Sequence, residues 1–107
     1  MVQLASEGLP APDVAGLYAV RVSDDRVKFG HSRNLAGRLT SHNRAARHLG
    51  VEFVAAWVAV PASATAERDL LARLERSGFD RVPSSEAFAI RWEPALRILA
   101  AAATRAA

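Results

Sequence analysis

The chain has 107 residues, of which half are apolar and 23% are charged, and this is the size and composition of one globular domain. Because it contains no cysteine, a disulfide framework and a thiolate metal site are excluded, and an oxygen-bound Mg²⁺ or Mn²⁺ is the metal to consider. The net charge of +3 at pH 7 allows a polyanionic partner, but it is too small for binding to nucleic acid through charge alone.

The first 13 residues hold two prolines and no periodicity, which predicts an extended lead-in that packs loosely. Residues 14–107 then form the single domain. Within it, residues 14–22 are rich in β-branched and aromatic side chains, a polar SDDR segment follows, and VKFG at residues 27–30 resumes the pattern. This arrangement predicts a β-hairpin with a polar turn.

The longest apolar run, at residues 53–60, predicts a strand that is covered on both faces. It is too short to span a bilayer, and the N-terminus lacks a basic segment followed by an apolar one. We therefore expect a cytoplasmic protein without a membrane partner. Residues 79–90 hold either a short strand or an irregular loop, and the sequence does not decide between the two.

Three helices are predicted around these strands. Asn34 or Ser32 can cap the first helix, Gly50 can end it, and Ser63 or Thr65 can open the second. The expected helices cover residues 34–49, 63–77 and 93–107.

The first helix carries two polar side chains near its apolar stripe. The stripe consists of Leu35, Leu39, His42, Ala46 and Leu49. Arg38 lies at its edge, four residues before His42, so these two side chains share a face and can act on one object. A lone histidine on an apolar face is, however, more often a hydrogen-bonded core residue than a catalyst.

The opposite side of the first helix is basic, with Arg33, Arg44 and Arg47. Such a row is either a solvated helix face or a stripe that contacts phosphate groups. Both interpretations stay open at the level of sequence.

Glu67 falls inside the apolar arc of the second helix, an unexpected place for a carboxylate. An unpaired buried carboxylate is costly, so Glu67 is expected to be partnered, to lie near a cleft or to bind a cation. The alternative is that it lies in the first helical turn, where the helix dipole favours acidic residues, and faces water.

These features occur in the order found in a known family. The tripeptides GLY at 16–18 and KFG at 28–30, followed by Arg38, His42 and Glu67, resemble the GIY-YIG nuclease superfamily. In several branches an arginine and a histidine follow the second glycine by eight and twelve residues, as Arg38 and His42 do here.

The segment AERDLLARLERSGFDRVPSSEAFAI at residues 66–90 resembles the end of the compact phage-type branch, so the resemblance covers roughly residues 14–92. It implies an α/β (α+β) domain with a three-stranded antiparallel sheet flanked by about three helices. It also implies an endonuclease or nickase that cuts nucleic acid with a single divalent ion.

The resemblance also implies roles for the residues. Glu67 would hold Mg²⁺ or Mn²⁺, and Arg38 would contact the phosphate through its fork of donors. Tyr18 would orient or deprotonate the attacking water, with its pKa lowered by Arg38, Lys28 and the metal. His42 would assist through hydrogen bonding or proton transfer.

Two departures from the family pattern keep an alternative open. The tyrosine that begins the second tripeptide of the family is replaced by Lys28, as is frequent in the phage-type branch. The asparagine often found near the end of the fold has no counterpart in this chain. The alternative is a catalytically decayed module that binds nucleic acid, and a domain for protein or small-ligand binding is a third. We favour DNA over RNA as the partner, with targeting through a homodimer, a fused or associated partner, or an intrinsic structure preference.

Overall fold

The computed structural model describes residues 2–61 and 64–106. In this part of the chain the elements are β1 (Gln3–Ser6), β2 (Gly16–Ser23), β3 (Arg26–Ser32), α1 (Leu35–Leu49), β4 (Val54–Ala59), α2 (Ala64–Arg76), β5 (Ala87–Ala89) and α3 (Trp92–Ala106). The predicted α+β class and the three helices are confirmed. The prediction of a three-stranded sheet is wrong, because the described residues form five strands.

The sheet has the strand order β1-β4-β2-β3-β5, and every neighbouring pair is antiparallel. The predicted hairpin forms β2 and β3, and the apolar run forms β4 beside it. The edges of the sheet are β1, which was not predicted, and β5, which the sequence left open as a strand or a loop. β1 lies within the predicted lead-in, where Gln3 pairs with Trp57 and Ser6 with Val54, so residues 3–6 do not pack loosely.

The β2–β3 hairpin determines which side chains share a face of the sheet. Tyr18 pairs with Gly30, and Val20 pairs with Lys28, so these four residues belong to the same face. Tyr18 and Val20 pack in a cluster of buried residues with α1. The alternate positions on β2 and β3 pack in a second cluster that includes α2 and α3.

The boundaries of α1 agree with the prediction from its capping residues. The Asn34 side chain accepts a hydrogen bond from the Gly37 backbone N–H at 3.0 Å. Gly50 ends the helix with φ 68°, a left-handed conformation that favours glycine. The predicted stripe is wrong in its last turn, because Leu49 is 77% exposed and only the earlier turns cover the core.

The other face of the sheet is covered by α2 and α3, which also pack against each other. The fully buried side chains of this layer include Leu70, Leu74, Phe88 and Leu99. Each side chain of this kind contributes about 2 kcal/mol through burial. The predicted cap Ser63 lies outside the described residues. Among the residues that are described, no helix is long and apolar enough to cross a membrane.

Residues 79–90 contain both of the structures that the sequence left open. β5 pairs with β3 through Ala87 and Lys28, and an isolated bridge joins Arg81 to Phe88. Between these two pairings the chain turns through Ser84, which has φ 58°. The turn therefore lies just before the first residue of β5 and beside β3.

Candidate active site

The Tyr18 side chain crosses β3 at Gly30. A Cβ atom built on Gly30 would lie 2.5 Å from the Tyr18 hydroxyl and 2.6 Å from its Cζ, so only a glycine leaves room for the ring. β5 pairs with β3 only from Arg26 to Lys28. In the described part of the chain, the outer edge of β3 beside Gly30 therefore has no strand partner, and the Tyr18 hydroxyl lies close to this edge.

α1 brings two of the predicted residues to the same place. The rings of Tyr18 and His42 are 5.5 Å apart between centroids and tilted by 51°. Arg38 lies one helical turn before His42, and its charge acts on both rings. Lys28 and His42 line a common cavity of about 170 Å³. Tyr18, Lys28, Arg38 and His42 thus form one group, which we call the Tyr18 cluster.

The electrostatic environment keeps the Tyr18 phenol protonated. Burial raises the pKa of Tyr18 above its ordinary value of 10.0, and the Arg38 guanidinium lowers the pKa by a smaller amount. The carboxylates of Glu86 and Glu67 raise it further. At neutral pH, Tyr18 is therefore a hydrogen-bond donor. The sequence interpretation expected Arg38, Lys28 and the metal together to lower this pKa, and Arg38 without a metal does not overcome the effect of burial.

The opposite shift applies to His42. Burial lowers the pKa of His42 below its ordinary value of 6.5, and the positive charges of Lys28 and Arg38 lower it further, with Glu86 opposing them. His42 is consequently neutral at pH 7 and offers an unprotonated ring nitrogen. Of the two rings in contact, His42 is the one suited to accept a proton.

Two glutamates act on the Tyr18 cluster from other elements. Glu67 lies in the first turn of α2 and is exposed, which agrees with the solvent-facing alternative and not with burial in the apolar arc. Glu86 precedes Ala87, the partner of Lys28 in β3, and so lies beside the open edge of that strand. The negative charges of both raise the pKa of Tyr18.

Three arginines predicted to contact nucleic acid lie outside the Tyr18 cluster. Arg33 and Arg44 are exposed, and no ion pair involves them within residues 2–61 and 64–106. Arg47 instead forms an ion pair with Glu7 through its Nε and a terminal nitrogen. Arg47 is thus partly neutralised, and the exposed face retains Arg33 and Arg44 as positive charges.

Sequence reasoning missed the placement of His31. His31 follows Gly30 in β3 and pairs with Leu17, on the face opposite Tyr18. Its Nε2 atom is buried and has no hydrogen-bond partner within the described chain. His31, whose Nε2 atom lacks a partner, is thus the next residue after Gly30, over which the Tyr18 ring lies. No spacing pattern in the sequence indicates that this nitrogen is buried.

Comparisons with protein-family models, curated proteins and solved structures found no significant match to this chain.

Because Tyr18 is the only tyrosine, its ionisation can be followed directly by ultraviolet absorbance of the phenolate. We expect the folded protein to titrate above pH 10.0, and Arg38→Ala to shift the midpoint upward by removing a positive charge. Glu86→Gln should shift it downward. A raised folded-state pKa means that the stability contributed by the neutral phenol is present below pH 10.0 and is lost as the pH rises through the folded-state value. A midpoint below 10.0 would contradict the dominance of burial.

Proposed function

We propose that this chain is a divalent-metal-dependent endonuclease or nickase of the GIY-YIG type that hydrolyses phosphodiester bonds in nucleic acid, with DNA favoured over RNA. The observation that carries the proposal is the convergence of Tyr18, Lys28, Arg38 and His42 on one face of the sheet, next to the open edge of β3. Hydrolysis of a phosphodiester needs positive charge at the phosphate, an acceptor for the proton of water and stabilisation of the leaving oxygen.

The Tyr18 cluster offers groups for the first two of these needs, and an ion held by Glu67 would meet the third. Arg38 is exposed and can donate two parallel hydrogen bonds to the non-bridging oxygens, while Lys28 adds a second positive charge. Neutral His42 accepts a proton from the water as the water oxygen bonds to phosphorus, and the P–O bond to the leaving oxygen breaks. The protonated Tyr18 hydroxyl donates a hydrogen bond that orients the water or the phosphate. Of the two roles that the resemblance implied for Tyr18, this division keeps the orienting role and gives proton transfer to His42, because burial shifts the two pKa values in opposite directions.

The donor chemistry of Glu67 fits a magnesium or manganese ion. Its carboxylate is exposed and forms no ion pair with the residues described. Across the same residues, no group of three His, Cys, Asp or Glu side chains could hold a metal. Mg²⁺ keeps several waters and is frequently bound by one or two carboxylates together with substrate phosphates, which matches a single glutamate. When bound, the ion would supply positive charge at the phosphate oxygen.

A nucleic-acid-binding module without catalysis is the second candidate. The solitary Glu67 carboxylate and the lysine at position 28 favour it, because neither assembles a preformed metal site. Binding that falls with salt but is never followed by cleavage would identify this module. In either case the partner is nucleic acid, and targeting would come from a homodimer, a fused or associated partner, or a preference for a particular nucleic-acid structure.

Cleavage of plasmid and branched DNA in Mg²⁺ or Mn²⁺ tests the proposed nuclease. We expect Glu67→Gln and Arg38→Ala to reduce the cleavage rate by about 100-fold or more, because each removes charge stabilisation from the transition state. The matched controls are Glu75→Gln on the same helix and Arg76→Ala, which change exposed residues away from the Tyr18 cluster. These controls should cleave like the parent. Equal cleavage by the parent, Glu67→Gln and Arg38→Ala would refute the nuclease.

A further inference from the structure

A second basic site lies at the other end of β2. A cavity of about 590 Å³ opens between the tip of the β2–β3 hairpin and the start of α3. We call it the arginine cleft. The side chains that matter for its chemistry are Arg21, Arg91 and Arg97, the Trp92 ring, and the carboxylates of Asp24 and Glu93.

The guanidinium groups of the arginine cleft keep free donors. Arg91 is exposed, and its side chain makes no hydrogen bond or ion pair in the described part of the chain. Arg21 uses one terminal nitrogen to bond Glu52 at 3.1 Å, which leaves its other N–H groups available. A terminal nitrogen of Arg97 lies 3.8 Å from a carboxylate oxygen of Glu93. Both side chains are exposed, and exposed ion pairs of this kind are weak. Of the three arginines that line the cleft, Arg21 is thus paired with Glu52 and Arg97 with Glu93, and Arg91 keeps an unpaired positive charge.

Trp92 adds an aromatic surface to these charges. Its side chain is half-buried, with part of it packed on the core that α2 and α3 share with the sheet. The remainder lines the arginine cleft. Aromatic rings beside arginines are the combination that binds single-stranded nucleic acid, because an unpaired base stacks on the ring while the guanidinium groups contact phosphates. A duplex does not offer its bases for such stacking.

We propose that the arginine cleft binds an unpaired strand next to the phosphodiester that the Tyr18 cluster cuts. This inference rests on the proposed function in treating that strand as part of the substrate. Arg21 alternates with Tyr18 and Val20 along β2, and Trp92 belongs to α3, so the arginine cleft lies on the α3 face of the sheet, opposite the Tyr18 cluster. A strand would therefore reach the cleft around the tip of the β2–β3 hairpin, which is about 17 Å from Tyr18 along β2 at about 3.4 Å per residue, or about five base pairs of duplex. The substrate class is therefore a branched or flapped nucleic acid with a single strand close to the cut, rather than an uninterrupted duplex.

Tryptophan fluorescence tests the cleft without cleavage. In a Trp57→Phe background, Trp92 is the only tryptophan, and EDTA prevents metal-dependent cutting. We expect a single-stranded oligonucleotide of about 16 residues to quench Trp92. Arg91→Ala should weaken binding about tenfold and reduce the salt slope by about 0.7 for a lost phosphate contact. Asp24→Asn should tighten binding, and Arg76→Ala, an exposed arginine on α2, should bind like the parent.

Three results would overturn the cleft proposal. These are binding without quenching of Trp92, equal weakening by Arg91→Ala and Arg76→Ala, and equally tight binding of an acidic peptide with the same quenching. The last result would identify a site for acidic protein segments instead of nucleic acid.

Cleavage assays in Mg²⁺ separate this inference from the proposed function. We expect Arg91→Ala to raise the KM for a flapped substrate about tenfold while cleavage of a plain duplex is unchanged. If the parent cuts DNA and Arg91→Ala binds the flapped substrate as tightly as the parent does, the nuclease proposal stands and the cleft proposal is refuted. If the protein binds the single strand through Arg91 and Trp92 but cuts no DNA, the cleft proposal stands and the nuclease proposal is refuted.

Discussion

Gly16→Ala is expected to lower the free energy of unfolding by about 3 kcal/mol or more, and the Tm by about 15 °C. Gly16 is buried at the start of β2 and pairs with Ala59 of β4 and Ser32 of β3. A Cβ atom there would lie 2.3 Å from the Val58 backbone oxygen and 2.7 Å from a methyl carbon of Leu35. The carbonyl belongs to the neighbouring strand and cannot rotate away, so relief requires β2 and β4 to separate.

The matched control for this prediction is Gly8→Ala. Gly8 is exposed, and a Cβ atom added to it would meet nothing within 4 Å. Thermal and urea unfolding of both variants measures the difference. We expect Gly8→Ala to unfold within about 0.5 kcal/mol of the parent, as surface substitutions usually do. If Gly16→Ala were equally stable, the close approach of β2 to β4 at this point would be disproved.

The elements of the fold that could be predicted from the sequence are those specified by residues close together in the chain. The β2–β3 hairpin and α1 are marked by local turn and capping residues, so their boundaries follow from a short window. The edge strands depend instead on partners far along the chain. β1 has only Ala5 buried among its four residues, and β5 has three residues, so neither carries an alternation long enough to indicate a strand.

Some features of the candidate site likewise follow from local sequence patterns, and others depend on contacts between distant parts of the chain. Arg38 and His42 share a face through the helical period alone, and the hairpin register brings Tyr18 and Lys28 to that face. The protonation states could not be predicted, because they depend on how deeply each ring is buried. Tyr18 is only 4% exposed, and the effect of burial on its pKa outweighs that of Arg38, which the sequence interpretation expected to lower the pKa together with Lys28 and the metal. The proximity of Glu86 required the pairing of β5 with β3.

Gly30→Ala is expected to cost about 1–3 kcal/mol of stability and, under the proposed nuclease function, to reduce cleavage far more than this loss explains. The new methyl group would occupy the space of the Tyr18 side chain, whose hydroxyl oxygen would lie at 2.5 Å and whose ring carbons Cζ and Cε2 would lie at 2.6 and 2.9 Å. The end of a side chain can move where a backbone cannot, so the sheet survives and the Tyr18 hydroxyl is displaced. We expect a loss of about 100-fold in cleavage rate, since small misplacements of catalytic groups have effects of this size.

A double-mutant cycle with Tyr18→Leu distinguishes displacement of the ring from damage to β3. Leucine lacks the ring atoms that collide with a Cβ at position 30, so the stability cost of Gly30→Ala should largely disappear in the Tyr18→Leu background. Cleavage by Tyr18→Leu and by the double variant should be equally low, because the hydroxyl is already absent from both. If Gly30→Ala costs the same stability in both backgrounds, the glycine is required by the β3 backbone itself. Full cleavage by Gly30→Ala would show that the hydroxyl position over β3 has no part in the chemistry.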